Sequence, residues 1–304
     1  MSLDHLTIAC IGLGRMGAGI ARNLQASGCR FVVYNRTSAK MEPFAAVGAT
    51  PARSAREAAS TADFVVTSLM DDQSVYDMLS GEEGILTGLR PGAIHIGTST
   101  VSPGCSTRCA GLHQQHGSHY IAAPVFGRPE AAAAGRLFTF VSGEPEVIER
   151  ARPVLETYTQ SIVALGEDAA AAASLKLAGN FFGASLLEVL GEAFALAEKR
   201  GVLAPFANML KGFLAPMAEY IDRIAGRNYE EPGFTLDAGL KDVRLILEAA
   251  GEVHVPLPFA SVIRDKCLAA QAYGLSQQDW CCFTEIARLD AGLPRKIPGE
   301  AAIR

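Results

Sequence analysis

Charge is scarce in this chain. Only 19% of its 304 residues are Asp, Glu, Lys or Arg, against 49% hydrophobic, a balance too apolar for disorder. Charges still recur often enough that no stretch is expected to span a membrane. Dense Lys or Arg blocks are missing, and 27 basic against 32 acidic residues leave a formal net charge of −5. Nucleic acid is thereby disfavoured as a partner. The seven Cys form no C-x-x-C pair, and no paired-His spacing suits zinc, so no metal is expected and the thiols read as reduced. The first residues lack a basic region followed by an apolar stretch and a small-residue cleavage site. Together these absences point to a globular protein of the cytoplasm. Its length exceeds one ordinary domain, so two are expected.

What the chain does have, in its first half, is alternation. Short apolar or β-branched runs at 6–11, 29–34, 64–68, 93–96, 120–122, 137–141 and 162–165 read as strands. Helices should follow Arg15, Ser38, Ser54, Asp71, Pro103 and Glu144. This is the pattern of a doubly wound, mostly parallel sheet with crossover helices, an α/β domain. From about Asp168 the strand signals fade, and Leu175, Leu177 and Phe181 recur at helical spacing after an alanine-rich stretch. That helix should run to about Arg200. Gly201, Pro205, Gly226, Pro232, Gly251, Pro256 and Pro258 then divide the rest into shorter helices. The expected organisation is an α/β domain over 1–166 and an all-α domain over 167–304, with the seam at Gly166.

The most informative segment is Ile8-Ala9-Cys10-Ile11-Gly12-Leu13-Gly14-Arg15-Met16-Gly17. It places G-x-G-x-x-G directly between a strand and a helical run. Gly12 allows a tight turn, Gly14 lets backbone approach a pyrophosphate, and Gly17 permits close packing of helix on strand, while the helix N-terminus offers N–H groups to the anion. A glycine-rich turn without a ligand is the plainer alternative, but an intact second βα unit favours a dinucleotide. The end of the second strand reads Tyr34-Asn35-Arg36-Thr37, without the Asp or Glu that would accept from an unphosphorylated ribose. Arg36 offers a planar fork of donors to a 2′-phosphate, which favours NADP(H) over NAD(H). The alternative is that Arg36 is a solvated surface charge.

After this loop come, in order, Gly97-Thr98-Ser99-Thr100-Val101-Ser102-Pro103, Ala123-Pro124-Val125-Phe126-Gly127 and Lys176-Leu177-Ala178-Gly179-Asn180. In that order of motifs the chain resembles the β-hydroxyacid dehydrogenase family. The family includes 3-hydroxyisobutyrate dehydrogenase, tartronate semialdehyde reductase, and the glyoxylate and succinic semialdehyde reductases, and 6-phosphogluconate dehydrogenase is a longer relative. The resemblance implies a Rossmann domain, a long connecting helix, an all-helical second domain and an active site in the cleft between them. It also implies a dimer or higher homo-oligomer.

By the same resemblance, Gly12, Leu13, Gly14, Arg15, Met16 and Gly17 form the cofactor loop, and Asn35, Arg36 and Thr37 its NADP-type companion. Leu69 and Met70 would line the adenosine and ribose side. Thr98, Ser99 and Thr100 match a loop near the nicotinamide, with Gly97-Thr98 in place of the family's usual acidic entry. The family's substrate-carboxylate loop usually carries a serine after Pro-Val. Here the sequence is Phe126-Gly127-Arg128, which loses the hydroxyl but leaves backbone N–H groups at the turn. Arg128 either compensates with charge or points into solvent.

Lys176 and Asn180, four residues apart, share one helix face. A lysine in an apolar helical run is costly to bury unless something meets it, which marks a functional site; otherwise it snorkels at the surface. In the family the matching lysine supplies the catalytic proton. By the resemblance Lys241, of the Lys241-Asp242 pair, would reach the cofactor and substrate region with Asp242 in support, the plainer alternative being an exposed charge pair. Phe234 and Asp237 either line the substrate pocket or merely begin the helix. Ser102 before Pro103 reads as a helix N-cap, and Asp71-Asp72 as a helix start. His113, His116 and His119 look like ordinary residues near a helix end, and Cys105 and Cys109 make no metal site. The expected activity is NADPH-preferring interconversion of a small, carboxylate-bearing semialdehyde or keto acid and its hydroxyacid, with Lys176 as general acid/base. An imine reductase and a non-catalytic NADPH-binding scaffold are the competing readings.

Overall fold

The computed structural model describes residues 3–294. Six strands, β1 (Thr7–Ile11), β2 (Arg30–Tyr34), β3 (Thr50–Pro51), β4 (Phe64–Thr67), β5 (Ile94–Gly97) and β6 (His119–Ala122), form one parallel sheet in the order β3-β2-β1-β4-β5-β6. The crossovers carry α1 (Arg15–Ala26), α2 (Glu42–Ala45), α3 (Ala55–Ser60), α4 (Asp72–Leu79), α5 (Ile85–Gly88) and α6 (Pro103–His116). Successive residues of β1 show why both faces are covered. Ile8 and Cys10 enter one apolar cluster with Ile20, Leu24 and Val33, while Ala9 and Ile11 enter another with Val65, Leu79 and Ile85. A strand alternates its side chains between faces, so a strand apolar throughout needs helices on both.

Two expected strands do not join this sheet. β7 (Val125–Phe126), β8 (Leu137–Val141) and β9 (Thr159–Ala164) form a second sheet in which β7 and β8 are antiparallel and β8 and β9 parallel. Helices α7 (Pro129–Ala133) and α8 (Pro145–Leu155) connect them. Apolar pattern alone marks a strand but not its partner, and β3 and β7, at two residues each, leave no periodicity to read.

The remainder is helical: α9 (Ala169–Lys199), α10 (Leu203–Phe213), α11 (Ala218–Gly226), α12 (Leu236–Glu252), α13 (Pro258–Ala272) and α14 (Glu285–Asp290). Contacts divide the chain after Leu177, not at Gly166, into two compact units. The first turns of α9 belong to the first unit because Ala172 is buried in the cluster on that sheet's face. From Ala184 onward α9 supplies Leu187, Leu190 and Phe194 to the core of the second unit, with Ile263, Cys267 and Phe283. Residues 295–304 of the expected second domain lie outside the described residues, as do Met1 and Ser2. The expectation that no stretch could span a membrane needs correction. By length and composition alone α9 qualifies, with a mean hydropathy of 1.3 over its most apolar window. Its apolarity follows from entering two cores in turn.

Candidate active site

The sheet order reverses direction between β1 and β4, and the crevice outside the carboxyl ends of such a pair is where open α/β sheets bind ligands. Here β1 runs into Gly12, whose φ is 95° and whose N–H donates to the Tyr34 carbonyl at 3.0 Å. A Cβ on Gly12 would lie 2.3 Å from the Ser68 carbonyl oxygen, and one on Gly17 would lie 2.0 Å from the Gly12 carbonyl oxygen. Both glycines are therefore required by protein packing alone. Gly14 is not: nothing lies within 4 Å of the Cβ it lacks, and its φ of −71° suits any residue. It caps α1 without a side-chain hydrogen bond, and the first turn of that helix carries no acid. The result is open space beside uncapped N–H groups at the positive end of a helix dipole, which fits a dinucleotide pyrophosphate.

Asn35 shapes this loop. Its Oδ1 accepts from the Leu13 N–H at 2.9 Å, and its Nδ2 donates to the Thr37 carbonyl at 3.0 Å, clamping the turn to the end of β2. Arg15, Arg36 and Thr37 are exposed, while Met16 packs against the core.

The next strand ends are tied to each other. Ser99 Oγ accepts from the Leu69 N–H at 2.8 Å, joining the turn after β4 to the turn after β5. Thr98 sends both its hydroxyl, at 2.8 Å, and its N–H, at 3.0 Å, to the Thr67 carbonyl. The Thr98 side chain is buried and its hydroxyl donates back into the sheet. Thr100 is half-buried, and Met70 is 59% exposed.

A third group forms where β7 meets the start of α9. Lys176 is 9% exposed, and its Nζ lies 4.0 Å from the centroid of the Phe126 ring. This lysine is buried, not snorkelling. Phe140 meets Phe126 edge-on, with centroids 5.7 Å apart. Gly127 follows with φ at 135°, where a Cβ would strike Leu137. The Arg128 side chain is only 16% exposed and lies 3.9 Å from Glu130, so of its two readings extension into solvent is the one the structure removes.

The second unit carries its own polar group. Asn180 donates through Nδ2 to Asp242 Oδ2 at 2.5 Å, and Lys241 pairs with Asp242 Oδ1. Asp242, 1% exposed, is thus the anchor of both neighbours. Phe234 packs edge-on against Trp280, with ring centroids 5.3 Å apart, against the core of this unit. Asp237 accepts from Gln271 and Gln277.

Sequence reasoning passed over His95. Its Nε2 lies 2.9 Å from Thr67 Oγ1 and its Nδ1 2.9 Å from His113 Nε2, while His113 Nδ1 reaches Ser118 Oγ at 2.9 Å. Burial pushes the imidazole pKa values down, to about 3 for His95 and about 2 for His113. A polar residue between Ile94 and Ile96 in an otherwise apolar strand was the signal available.

Two family models match the chain: the NAD binding domain of 6-phosphogluconate dehydrogenase over residues 7–166, and the NAD-binding domain of NADP-dependent 3-hydroxyisobutyrate dehydrogenase over 170–288. An uncharacterized oxidoreductase of Bacillus subtilis, YfjR, is 39% identical over 91% of this chain and 98% of its own. The 3-sulfolactaldehyde reductase of Escherichia coli is 30% identical over 95% and 98%. Among solved structures, 3-hydroxyisobutyrate dehydrogenase of Mycobacterium tuberculosis with L-serine superposes with a TM-score of 0.82 at 29% identity, covering 93% of this chain and 99% of that one. An imine reductase from Pseudomonas sp. is more distant, with a TM-score of 0.61 at 21% identity, a likeness of fold alone.

Proposed function

The chain belongs to the β-hydroxyacid dehydrogenase family of NAD(P)-dependent oxidoreductases, and from that footing we propose that it reduces a small semialdehyde or keto acid with NADPH, Lys176 acting as the general acid. The observation that carries this reading is the burial of the Lys176 ammonium against Phe126. A cation removed from water is expensive, and such groups gather where chemistry needs them.

A bound NADPH supplies the hydride. Gly12, Gly14 and the first N–H groups of α1 hold its pyrophosphate, and Arg36 meets the 2′-phosphate. Lys176 stabilises the oxygen of the carbonyl as negative charge develops there and delivers a proton to it; in the reverse direction the amine takes the hydroxyl proton. Asn180, held by Asp242, orients the substrate, and backbone from Ser99 to Gly127 receives its carboxylate. Exposed Phe182, Val189 and Leu196, seven residues apart on α9, support a homodimer or higher oligomer.

The test is a screen of NADPH oxidation across glyoxylate, succinic semialdehyde, methylmalonate semialdehyde, tartronate semialdehyde and a cyclic imine, run beside Lys176→Ala. An acidic aldehyde should turn over, and the variant should lose roughly 10²- to 10⁴-fold in kcat with NADPH binding nearly unchanged. Imine turnover undiminished in the variant would instead mark an imine reductase. Tight NADPH binding without turnover of any compound would mark a scaffold.

A further inference from the structure

Lys176 has four side-chain torsions and would sample many positions if left alone. The surroundings of Phe126 are built to prevent this. Residue 126 sits in β7, paired to β8 through Val125 with Thr139 and Phe126 with Phe138. The next residue, Gly127, has a backbone conformation at φ 135° that L side chains rarely adopt, with Leu137 filling the space where a Cβ would be. The backbone at Phe126 is therefore pinned on both sides. Its ring is pinned too, because Phe140 stands against it at an interplanar angle of 86°. A ring so braced presents a fixed face, and over that face lies the Lys176 ammonium, 4.0 Å from the centroid.

We propose that Phe126 is a positioning residue of Lys176, its ring face helping to hold the ammonium in place for proton delivery. This rests on the reading of Lys176 as general acid. The chemistry of the partner matters as much as its position. A carboxylate in the same place would attract the ammonium more strongly but would compete for the proton to be delivered. An aromatic face attracts the cation through its quadrupole and accepts no proton. The ring thus adds a hold on the ammonium that does not itself take the proton, and that attraction depends on the electron density of the ring and not only on its shape.

That dependence provides the test. A ring-fluorinated phenylalanine placed at position 126 keeps the shape of the side chain while weakening the negative ring face. With the substrate found in the screen, it should lower kcat about tenfold and leave the KM for NADPH unchanged. Phe126→Leu should lose at least as much, and Phe126→Tyr should restore most of what Phe126→Leu loses. Should Phe126→Leu fail to fold, the fluorinated protein still decides the matter. If the fluorinated protein turns over as fast as the unmodified one while Lys176→Ala is inactive, Phe126 has no positioning role and the reading of Lys176 stands. If Lys176→Ala keeps full turnover, the general-acid reading itself is lost, and this proposal with it.

Discussion

The Asn180 side-chain amide donates to the carboxylate of Asp242, a residue 62 positions later in the chain and 1% exposed. The other oxygen of that carboxylate pairs with Lys241. One buried acid therefore positions two residues assigned to the site from the sequence.

Replacing that acid should be felt in stability and in rate together. Asp242→Ala leaves an amide and an ammonium without their shared acceptor, and a loss of about 2–4 kcal/mol is expected from a urea titration. Asp242→Asn keeps the shape and should fall between. Unchanged stability in Asp242→Ala would show that the pair is not anchored as described.

Gly12 and Gly14 make a contrasting pair. In Gly12→Ala the new methyl would collide with the Ser68 carbonyl at a φ of 95°, so a loss of at least about 2 kcal/mol is expected. Gly14→Ala meets nothing in the protein and should leave the thermal midpoint within a degree or two, by roughly the range of a neutral surface substitution. Its dissociation constant for NADPH should nonetheless rise by about tenfold, since the methyl occupies the space a pyrophosphate needs. Equal NADPH affinity, measured by calorimetry, would remove the pyrophosphate from this loop.

Arg36→Asp exchanges a phosphate partner for a carboxylate that repels phosphate and suits a ribose hydroxyl. NADPH affinity should fall by on the order of 10- to 100-fold more than NADH affinity. A matched decline in the two would place Arg36 away from the 2′-phosphate.

Acid should weaken the first unit through its histidines. Folded His95 and His113 stay neutral down to about 3 and about 2, whereas an unfolded imidazole takes up its proton near pH 6.5. The unfolded chain therefore binds more protons below that pH, and the contribution is full above about pH 6.5 and declines as pH falls toward 3. Glu188 pulls the other way, since burial raises its carboxyl pKa to about 7 and its contribution declines as pH rises from the ordinary value of 4.5. The comparison that isolates the histidines is His95→Phe combined with His113→Leu. The slope of unfolding free energy between pH 7 and pH 5 should flatten in the double variant; an identical slope would assign the acid sensitivity elsewhere.

Much of the local structure was legible in the sequence. Ser102 accepts from the Cys105 N–H at 3.0 Å ahead of Pro103, and Asp71 accepts from the Ser74 N–H at 2.8 Å, as capping chemistry predicts from neighbouring residues. The strand ends of β1, β2 and β4 followed from apolar runs bounded by turn residues. The second sheet was not legible as such, because the pairing of β8 with β9 joins residues some twenty positions apart by hydrogen bonds that side-chain pattern does not encode. For Thr98 the sequence leaves open whether a strand-end hydroxyl faces outward or its own sheet, and only the position of the Thr67 carbonyl decides.

By itself the sequence determined the glycine turn, the absence of a carboxylate after β2, the long helix with its lysine and the order of motifs, since each depends on residues within one or two helical turns. Tertiary structure alone decided that Gly14 has free space while Gly12 and Gly17 have none, that Phe126 lies beneath Lys176, and that Asp242 holds Asn180. The contacts of Phe126 with Lys176, of Asp242 with Asn180 and of Gly12 with the Ser68 carbonyl join residues far apart in the chain, and they are set by how the layers pack and not by any property of the residues taken in order.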